Sequence, residues 1–158
     1  MKKFKNVCVM GLGYIGLPTA SFLGSKGYTV IGVDVNQKII DTINDGKIHI
    51  VEPDLDLLVR SAVNAGNLQA RADPVESDVF IIAVPTPFKD DFVPDLSFVE
   101  DAAIAIAPHV KSGDLIILES TSPVGTTQDV VGRILEEHGH DIENNVYIAH
   151  CPERVLPG

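Results

Sequence analysis

Six residues near the start of the 158-residue chain have the spacing of a phosphate-binding turn. The sequence GLGYIG, residues 11–16, matches G-x-G-x-x-G. In this motif the first glycine allows a tight turn, the second lets the backbone approach a diphosphate, and the third lets a helix pack on a strand. The motif follows an apolar run, and Asp34 ends the next apolar run at close to the expected spacing of about 20 residues. The combination predicts a dinucleotide-binding turn.

Asp34 is the residue that distinguishes between the two nicotinamide cofactors. Its carboxylate accepts hydrogen bonds from the hydroxyls of an adenosine ribose, whereas the 2′-phosphate of NADP would be a like charge beside it. The sequence therefore predicts NAD rather than NADP as the ligand.

A second polar segment, ESTSPVG at residues 119–125, follows an apolar run and precedes an amphipathic one. Its three hydroxyls are either ordinary capping groups for free backbone N–H groups or groups that face a cofactor and orient a water. The spacing of the residues favours neither alternative.

Glu153 and Arg154 form a third candidate group, within HCPERVLPG at residues 150–158. In a surface tail both side chains would simply be solvated. Beyond the carboxyl end of a strand, however, the carboxylate is suited to base chemistry and the guanidinium to binding a phosphate or a carboxylate of a substrate.

The elements that must position these residues alternate along the chain. Short β-branched runs separated by amphipathic segments are typical of βαβ units around a parallel sheet. The predicted strands are residues 7–10, 28–33, 68–72, 78–84, 115–118 and 146–149. The predicted helices are residues 14–26, 36–44, 54–64 and 96–110, and one more after a capping box formed by Thr126 and Asp129. We expect a single α/β domain with a Rossmann-type, doubly wound, mostly parallel sheet.

Sheets of this kind bind ligands in a crevice at the carboxyl ends of their strands. The loops predicted at that edge are residues 11–16, 34–38, 85–87 and 120–125, and the segment after the last strand is a fifth. The Pro-rich segment 85–95 is predicted to be a loop throughout. All three candidate groups are therefore expected on one side of the sheet.

Composition limits the other possibilities. The net charge of −10 argues against a nucleic-acid polymer as partner, because neutralising phosphates requires a basic face. The histidines and the two cysteines lack the ligand spacing of a zinc site, so no metal is expected. The apolar runs are far shorter than the roughly 20 residues that span a bilayer, and no signal cleavage site follows the basic N-terminus. We expect a cytoplasmic protein that does not bind membranes.

Six segments together resemble the N-terminal domain of the UDP-glucose/GDP-mannose dehydrogenase family: GLGYIGLPTA, VDVNQKIIDTIN, IHIVEPDL, AVPTPFK, ILESTSPVGTT and CPERVLPG. The resemblance extends over residues 7–158, and its last three segments are more specific than the glycine motif. It implies an NAD-dependent enzyme that oxidises the C6 alcohol of a UDP-sugar to a carboxylate in two hydride transfers. It also implies a Cys thiolate that traps the aldehyde and forms a thioester, which water hydrolyses.

The resemblance assigns roles to individual residues. Thr121 matches a threonine that positions a water near the reacting carbon, and Glu153 matches the active-site glutamate, so both are expected to be catalytic. Arg154 and Val155 match positions that contact the sugar nucleotide. The positions that match cofactor contacts are Gly11, Gly13, Tyr14, Ile15 and Gly16 at the diphosphate, Asp34 at the ribose, and Val84, Thr86 and Thr127 further along.

The ending RVLPG fits the N-acetylmannosamine branch of the family. The glucose enzymes have a second Glu where this sequence has Pro157, and the endings of the N-acetylglucosamine and N-acetylgalactosamine branches also differ. The alternatives are another UDP-sugar 6-dehydrogenase, acting on UDP-glucose or UDP-N-acetylglucosamine, a stand-alone NAD-binding regulatory module, or another small Rossmann oxidoreductase.

Residues 1–158 cover less than half of the family's full pattern. Neither Cys8 nor Cys151 matches the nucleophile. The nucleophile and a Lys-containing helix belong to central helical and C-terminal domains that these residues do not contain. The resemblance therefore implies that this domain alone is inactive, that the full-length enzyme is a homodimer, and that residues 1–158 alone are compatible with a monomer.

Overall fold

A six-stranded sheet forms the centre of the computed structural model, which describes residues 3–90 and 93–154. The strands are β1 Asn6–Met10, β2 Thr29–Val33, β3 Leu68–Arg71, β4 Val79–Ile82, β5 Leu115–Ser120 and β6 Tyr147–Pro152. Their order is β3-β2-β1-β4-β5-β6, and every neighbouring pair is parallel. This doubly wound order, with its switch point between β1 and β4, confirms the predicted fold class.

Helices pack on both faces of the sheet. They are α1 Gly16–Ser25, α2 Gln37–Asn44, α3 Leu55–Asn64, α4 Ser97–Ile106 and α5 Arg133–Glu137. A 3₁₀ turn, Ala107–His109, follows α4, and a π-helical segment, Thr127–Gly132, precedes α5. Helices α1 to α3 pack on one face, here the α1 face, and α4 and α5 on the other, the α4 face. Within the described ranges, no helix combines the length and apolar character needed to cross a membrane.

The alternation of side chains along each strand divides the core between the two faces. In β1, Val7 and Val9 pack with the buried Leu17 of α1, whereas Cys8 packs with Ile106 of α4. Cys8 is fully buried, as expected for a small core residue. Because both faces are covered in this part of the sheet, the strands are nearly continuous apolar runs.

Apart from the exact ends of helices and strands, two local predictions differ from the structure. The capping box is wrong: Thr126 has helical backbone angles (φ −52°, ψ −39°), and its hydroxyl donates to the carbonyl of Pro123 at 2.8 Å instead of capping a helical N–H. The segment 85–95 is also not entirely irregular, because Phe88 and Pro94 form an isolated antiparallel bridge.

Strand β6 is longer at its carboxyl end than predicted, since it includes His150, Cys151 and Pro152. The N–H of Glu153 donates to the carbonyl of Ser120 in β5, and the N–H of Tyr147 donates to the carbonyl of Asp114, the residue before β5. The intervening even-numbered N–H positions therefore lie on the other side of β6. The missing N–H of Pro152 therefore falls on the free edge, where it removes no ladder hydrogen bond. As a result, Glu153 directly follows a strand.

Candidate functional site

The three glycines of the turn after β1 have three different surroundings. Gly11 has φ +89°, and a Cβ there would lie 2.8 Å from the carbonyl oxygen of Ala83 and 3.2 Å from a methyl of Val84. A Cβ on Gly16 would lie 1.8 Å from the carbonyl oxygen of Gly11. A Cβ on Gly13 would meet no atom within 4 Å. Gly11 and Gly16 are thus required by the protein's own packing, whereas Gly13 leaves open space above the turn.

Asp34 is held against this turn by two backbone hydrogen bonds. The N–H of Leu12 donates to its Oδ2 at 3.1 Å, and the N–H of Asn36 donates to its Oδ1 at 2.9 Å. The N–H of Gly11 also donates to the carbonyl of Val33 at 2.8 Å, so the turn and the end of β2 form one unit. A carboxylate offers about four acceptor positions, so about two remain for the hydroxyls of a ligand.

This arrangement fits a dinucleotide. The turn leads directly into α1, whose first N–H groups point at any anion placed there. The side chain of Tyr14 lines a small cavity of about 220 Å³ with residues of α3, and Ile15 packs against the core of the α1 face. Ile15 is thus turned toward the core, whereas Tyr14 is 42% exposed, and the backbone of both residues lies beside the open space at Gly13.

A chain of hydrogen bonds joins the carboxyl ends of β4, β5 and β6. After β4, the hydroxyl of Thr86 donates to the carbonyl of Thr121 at 2.8 Å. After β5, the hydroxyl of Thr121 donates to the carbonyl of Glu153 at 2.6 Å. After β6, the N–H of Glu153 donates back to the carbonyl of Ser120 at 3.5 Å. The structure thus brings together three predicted site residues that are far apart in sequence.

Glu119 belongs to the same edge of the sheet, although it was not predicted as a site residue. The hydroxyl of Thr19, on α1, donates to the two oxygens of its carboxylate at 3.2 and 3.4 Å. Cys151 is its cross-strand partner on β6. The available signal in the sequence was an acidic residue at the end of a buried strand on the ligand side of the sheet.

The carboxyl group of Glu119 is half-buried. Burial raises its pKa, the hydrogen bond from Thr19 opposes this shift, and the charge of Glu153 adds to it. The pKa of the Cys151 thiol is also raised, by burial first and then by the charges of Glu119 and Glu153. The charge of Glu153 therefore reaches both Glu119 and Cys151, and the two carboxyl groups lie on one wall of the crevice.

The remaining predicted residues lie elsewhere or outside the described ranges. Thr127 begins the π-helical segment and lines a groove of about 410 Å³ with Ser122 and His150, and no hydrogen bond in the described ranges joins it to Thr86 or Thr121. Arg154 is exposed at the end of the described residues, and Val155 lies outside them. No group of three metal-ligating side chains occurs among the described residues.

Comparison with known proteins gives consistent matches. Residues 5–158 match the model of the NAD-binding domain of the UDP-glucose/GDP-mannose dehydrogenase family. A UDP-N-acetyl-D-mannosamine dehydrogenase from Campylobacter jejuni is 56% identical, over 100% of this chain and 41% of that protein. An NDP-N-acetyl-D-galactosaminuronic acid dehydrogenase from Ralstonia nicotianae is also 56% identical, over 98% of this chain and 38% of that protein.

Solved structures show the same fold. A UDP-N-acetyl-mannosamine dehydrogenase from Staphylococcus aureus superposes with a TM-score of 0.92 at 45% identity, over 98% of this chain and 38% of that one. A GDP-mannose dehydrogenase from Pseudomonas aeruginosa gives a TM-score of 0.89 at 32% identity, over 96% of this chain and 36% of that one. The chain spans about two fifths of the length of the curated relatives that it matches.

Proposed function

The chain belongs to the UDP-glucose/GDP-mannose dehydrogenase family as its NAD-binding domain, and on this premise we propose that it is the cofactor half of a UDP-N-acetyl-D-mannosamine 6-dehydrogenase. The overall reaction would convert one UDP-N-acetylmannosamine, two NAD and one water into the uronate and two NADH. The observation that supports this most directly is the hydrogen-bonded chain from Thr86 through Thr121 to Glu153, next to a turn that fits NAD.

The cofactor half of the crevice would hold NAD by its diphosphate and adenosine. Backbone groups of the turn from Gly11 to Gly16 would bind the diphosphate at the start of α1, where the helix dipole favours an anion. Asp34 would bind the ribose hydroxyls through the acceptor positions that its two backbone contacts leave free. Val84 and Thr86 follow β4 and would line the crevice further along. When bound, NAD supplies the hydride acceptor.

The substrate half would be formed by residues after β5 and β6. The hydroxyl proton of Thr121 is used in its bond to the carbonyl of Glu153, so its oxygen is left to accept a hydrogen bond from a water or a sugar hydroxyl. We propose that Thr121 orients the water and that the carboxylate of Glu153 acts as the base. Arg154 and Val155 would contact the sugar nucleotide, and Thr127 would contact the cofactor.

The choice of sugar depends on few residues. Relatives named for N-acetylmannosamine and for N-acetylgalactosaminuronic acid are equally identical to this chain, so overall identity does not decide between them. The proposal follows the ending RVLPG and Pro157, of which only Arg154 lies within the described residues. UDP-glucose and UDP-N-acetylglucosamine remain the alternative substrates.

The proposal also covers assembly and location. The nucleophilic Cys would come from further domains of a longer polypeptide, since Cys8 is fully buried and Cys151 precedes Pro152 at the end of a strand. We propose a homodimer for that polypeptide. We propose the cytoplasm as its location, because NAD and UDP-sugars are produced there.

The test is NADH formation by the protein encoded by the full reading frame, supplied with NAD and one UDP-sugar at a time. The four sugars are N-acetylmannosamine, glucose, N-acetylglucosamine and N-acetylgalactosamine. N-acetylmannosamine as the preferred sugar, with two NADH per sugar consumed, is the expected result. A reading frame that stops after Gly158, or a preference for another sugar, would contradict this proposal and would favour the NAD-binding module or another branch. Residues 1–158 alone should form no NADH, and turnover by them would disprove a nucleophile located elsewhere.

A further inference from the structure

Glu119 faces the same side of the sheet as α1. In β5, Ile117 packs against the core of the α1 face and Leu118 against the core of the α4 face, so the alternation directs Glu119 toward α1. Glu119 pairs with Cys151 across the strands, and Glu153 follows Cys151 by two residues. Glu119 and Glu153 therefore lie side by side at the carboxyl ends of β5 and β6.

The carboxylate of Glu119 is fixed in place without a cation. The hydroxyl of Thr19 donates to both of its oxygens at 3.2 and 3.4 Å, a contact between residues 100 positions apart in sequence. In the described ranges, no Lys or Arg side chain forms an ion pair with Glu119. A half-buried carboxylate with no ion-pair partner attracts any positive charge that enters the crevice.

The orientation of a dinucleotide in the crevice follows from the position of Asp34. Asp34 ends β2, on one side of the glycine turn, and is the group suited to the adenosine ribose. The opposite end of the cofactor must then extend past the turn toward the ends of β4, β5 and β6. That end carries the nicotinamide ring, and Glu119 lies in this half of the crevice.

We propose that Glu119 makes the crevice bind NAD⁺ in preference to NADH. The two forms differ in net charge only at the nicotinamide, which is positive when oxidised and neutral when reduced. Every contact to the diphosphate and the adenosine is common to both forms, so a carboxylate near the ring changes the ratio of their affinities. Thr19 acts as the positioning residue for this carboxylate.

The biological use of this preference for NAD⁺ rests on the proposed function. An enzyme that performs two oxidations on one sugar must release NADH and bind a second NAD⁺ between them. A carboxylate that favours the oxidised form promotes that exchange without any contact to the sugar.

The experiment measures dissociation constants of NAD⁺ and NADH for residues 1–158 by calorimetry. Glu119→Gln keeps the shape and the acceptor for Thr19 but removes the charge, whereas Thr19→Val keeps the charge and removes the hydrogen bond. We expect Glu119→Gln to raise the ratio of the NAD⁺ to the NADH dissociation constant by about fivefold or more, since fivefold is roughly the size of one charge interaction at about 4 Å in bulk water. Thr19→Val should raise the ratio by a smaller factor than Glu119→Gln, because the charge remains but is no longer held in position. Glu119→Asp, which keeps the charge, should keep most of the preference for NAD⁺.

An unchanged ratio in Glu119→Gln would overturn the proposal, as would an equal change of the ratio in Thr19→Val. If Glu119→Gln does not fold, the proposal is tested by the salt dependence of the NAD⁺/NADH affinity ratio in the unmutated chain. Salt screens the carboxylate, so the ratio should rise with ionic strength, and a constant ratio would overturn the proposal. Both constants are measured without a sugar, so failure of the UDP-sugar assay leaves this test intact.

Discussion

The three glycines of the cofactor turn allow binding and stability to be separated by substitutions three residues apart. Gly13→Ala adds a methyl group to open space, whereas Gly16→Ala adds the same group 1.8 Å from the carbonyl oxygen of Gly11. We expect the first variant to fold normally and lose NAD, and the second to lose stability. The two variants are therefore expected to differ in their stability without NAD.

The distances set the magnitudes. At position 16 the obstructing atoms are backbone, at 1.8 and 3.0 Å, so the turn itself must move. Overpacking of this kind costs about 1–3 kcal/mol, and we expect the upper end because the obstructing atoms are backbone. The gain from Ala over Gly in a helix offsets about 1 kcal/mol of this cost, which leaves a net loss of about 2 kcal/mol. At about 2–4 °C per kcal/mol for a chain of this size, the melting temperature should fall by roughly 5 °C. Gly13 has neither a neighbour within 4 Å nor a positive φ, so Gly13→Ala should be neutral or stabilising by about 0.5 kcal/mol.

Thermal unfolding with and without NAD measures both effects. NAD should raise the melting temperature of the unmutated chain but not that of Gly13→Ala, because the methyl group occupies the space that the diphosphate needs. We expect the affinity of Gly13→Ala for NAD to fall by on the order of tenfold or more, which corresponds to at least about 1.4 kcal/mol. Unchanged NAD affinity in Gly13→Ala, or an unchanged melting temperature in Gly16→Ala, would refute the roles given to these glycines.

Three further predictions follow from individual contacts. In calorimetry, the chain should bind NAD much more tightly than NADP, and Asp34→Asn should reduce this difference in affinity. Equal affinities of the unmutated chain for NAD and NADP would contradict the role of Asp34 at the ribose. Thr121→Val should lower the free energy of unfolding by about 1 kcal/mol through loss of the bond to Glu153, whereas Thr121→Ser should not, and equal denaturation midpoints of the two variants would contradict this. A thiol reagent should modify Cys151 in the native chain and Cys8 only after unfolding, since Cys8 is fully buried and burial raises its pKa to about 11; labelling of Cys8 at native pH would show that the core opens.

The strands and the cofactor turn were predictable because their signals are local. β-branched runs such as VFII of β4 have few alternatives to a buried strand, and the turn motif lies entirely within residues 11–16. The pairing of Asp34 with this turn also follows from sequence, since parallel neighbours in a βαβ unit end at the same edge. The hydrogen bond from Leu12 to Asp34 joins residues only 22 positions apart.

Other features depend on contacts that sequence patterns do not encode. The predicted strand 146–149 stops short of Pro152, which β6 includes because its missing N–H falls on the free edge of the sheet. The apolar spacing of residues 130–135 predicts a helix but does not distinguish a π-helical start from an α-helical one. The contact between Thr19 and Glu119 joins two elements 100 residues apart, so neither residue alone indicated a site.

The features that sequence predicts and those that it does not lie in different halves of the crevice. The half proposed to bind adenosine and diphosphate is built from residues 11–36, through backbone bonds that form within one βαβ unit. The half proposed to face the sugar exists only when β4, β5 and β6 are aligned, because Thr86, Thr121 and Glu153 are joined across separations of 35 and 32 residues. Thr19 and Glu119 connect the two halves, since one lies on the helix that begins at the cofactor turn and the other on the strand that precedes Thr121.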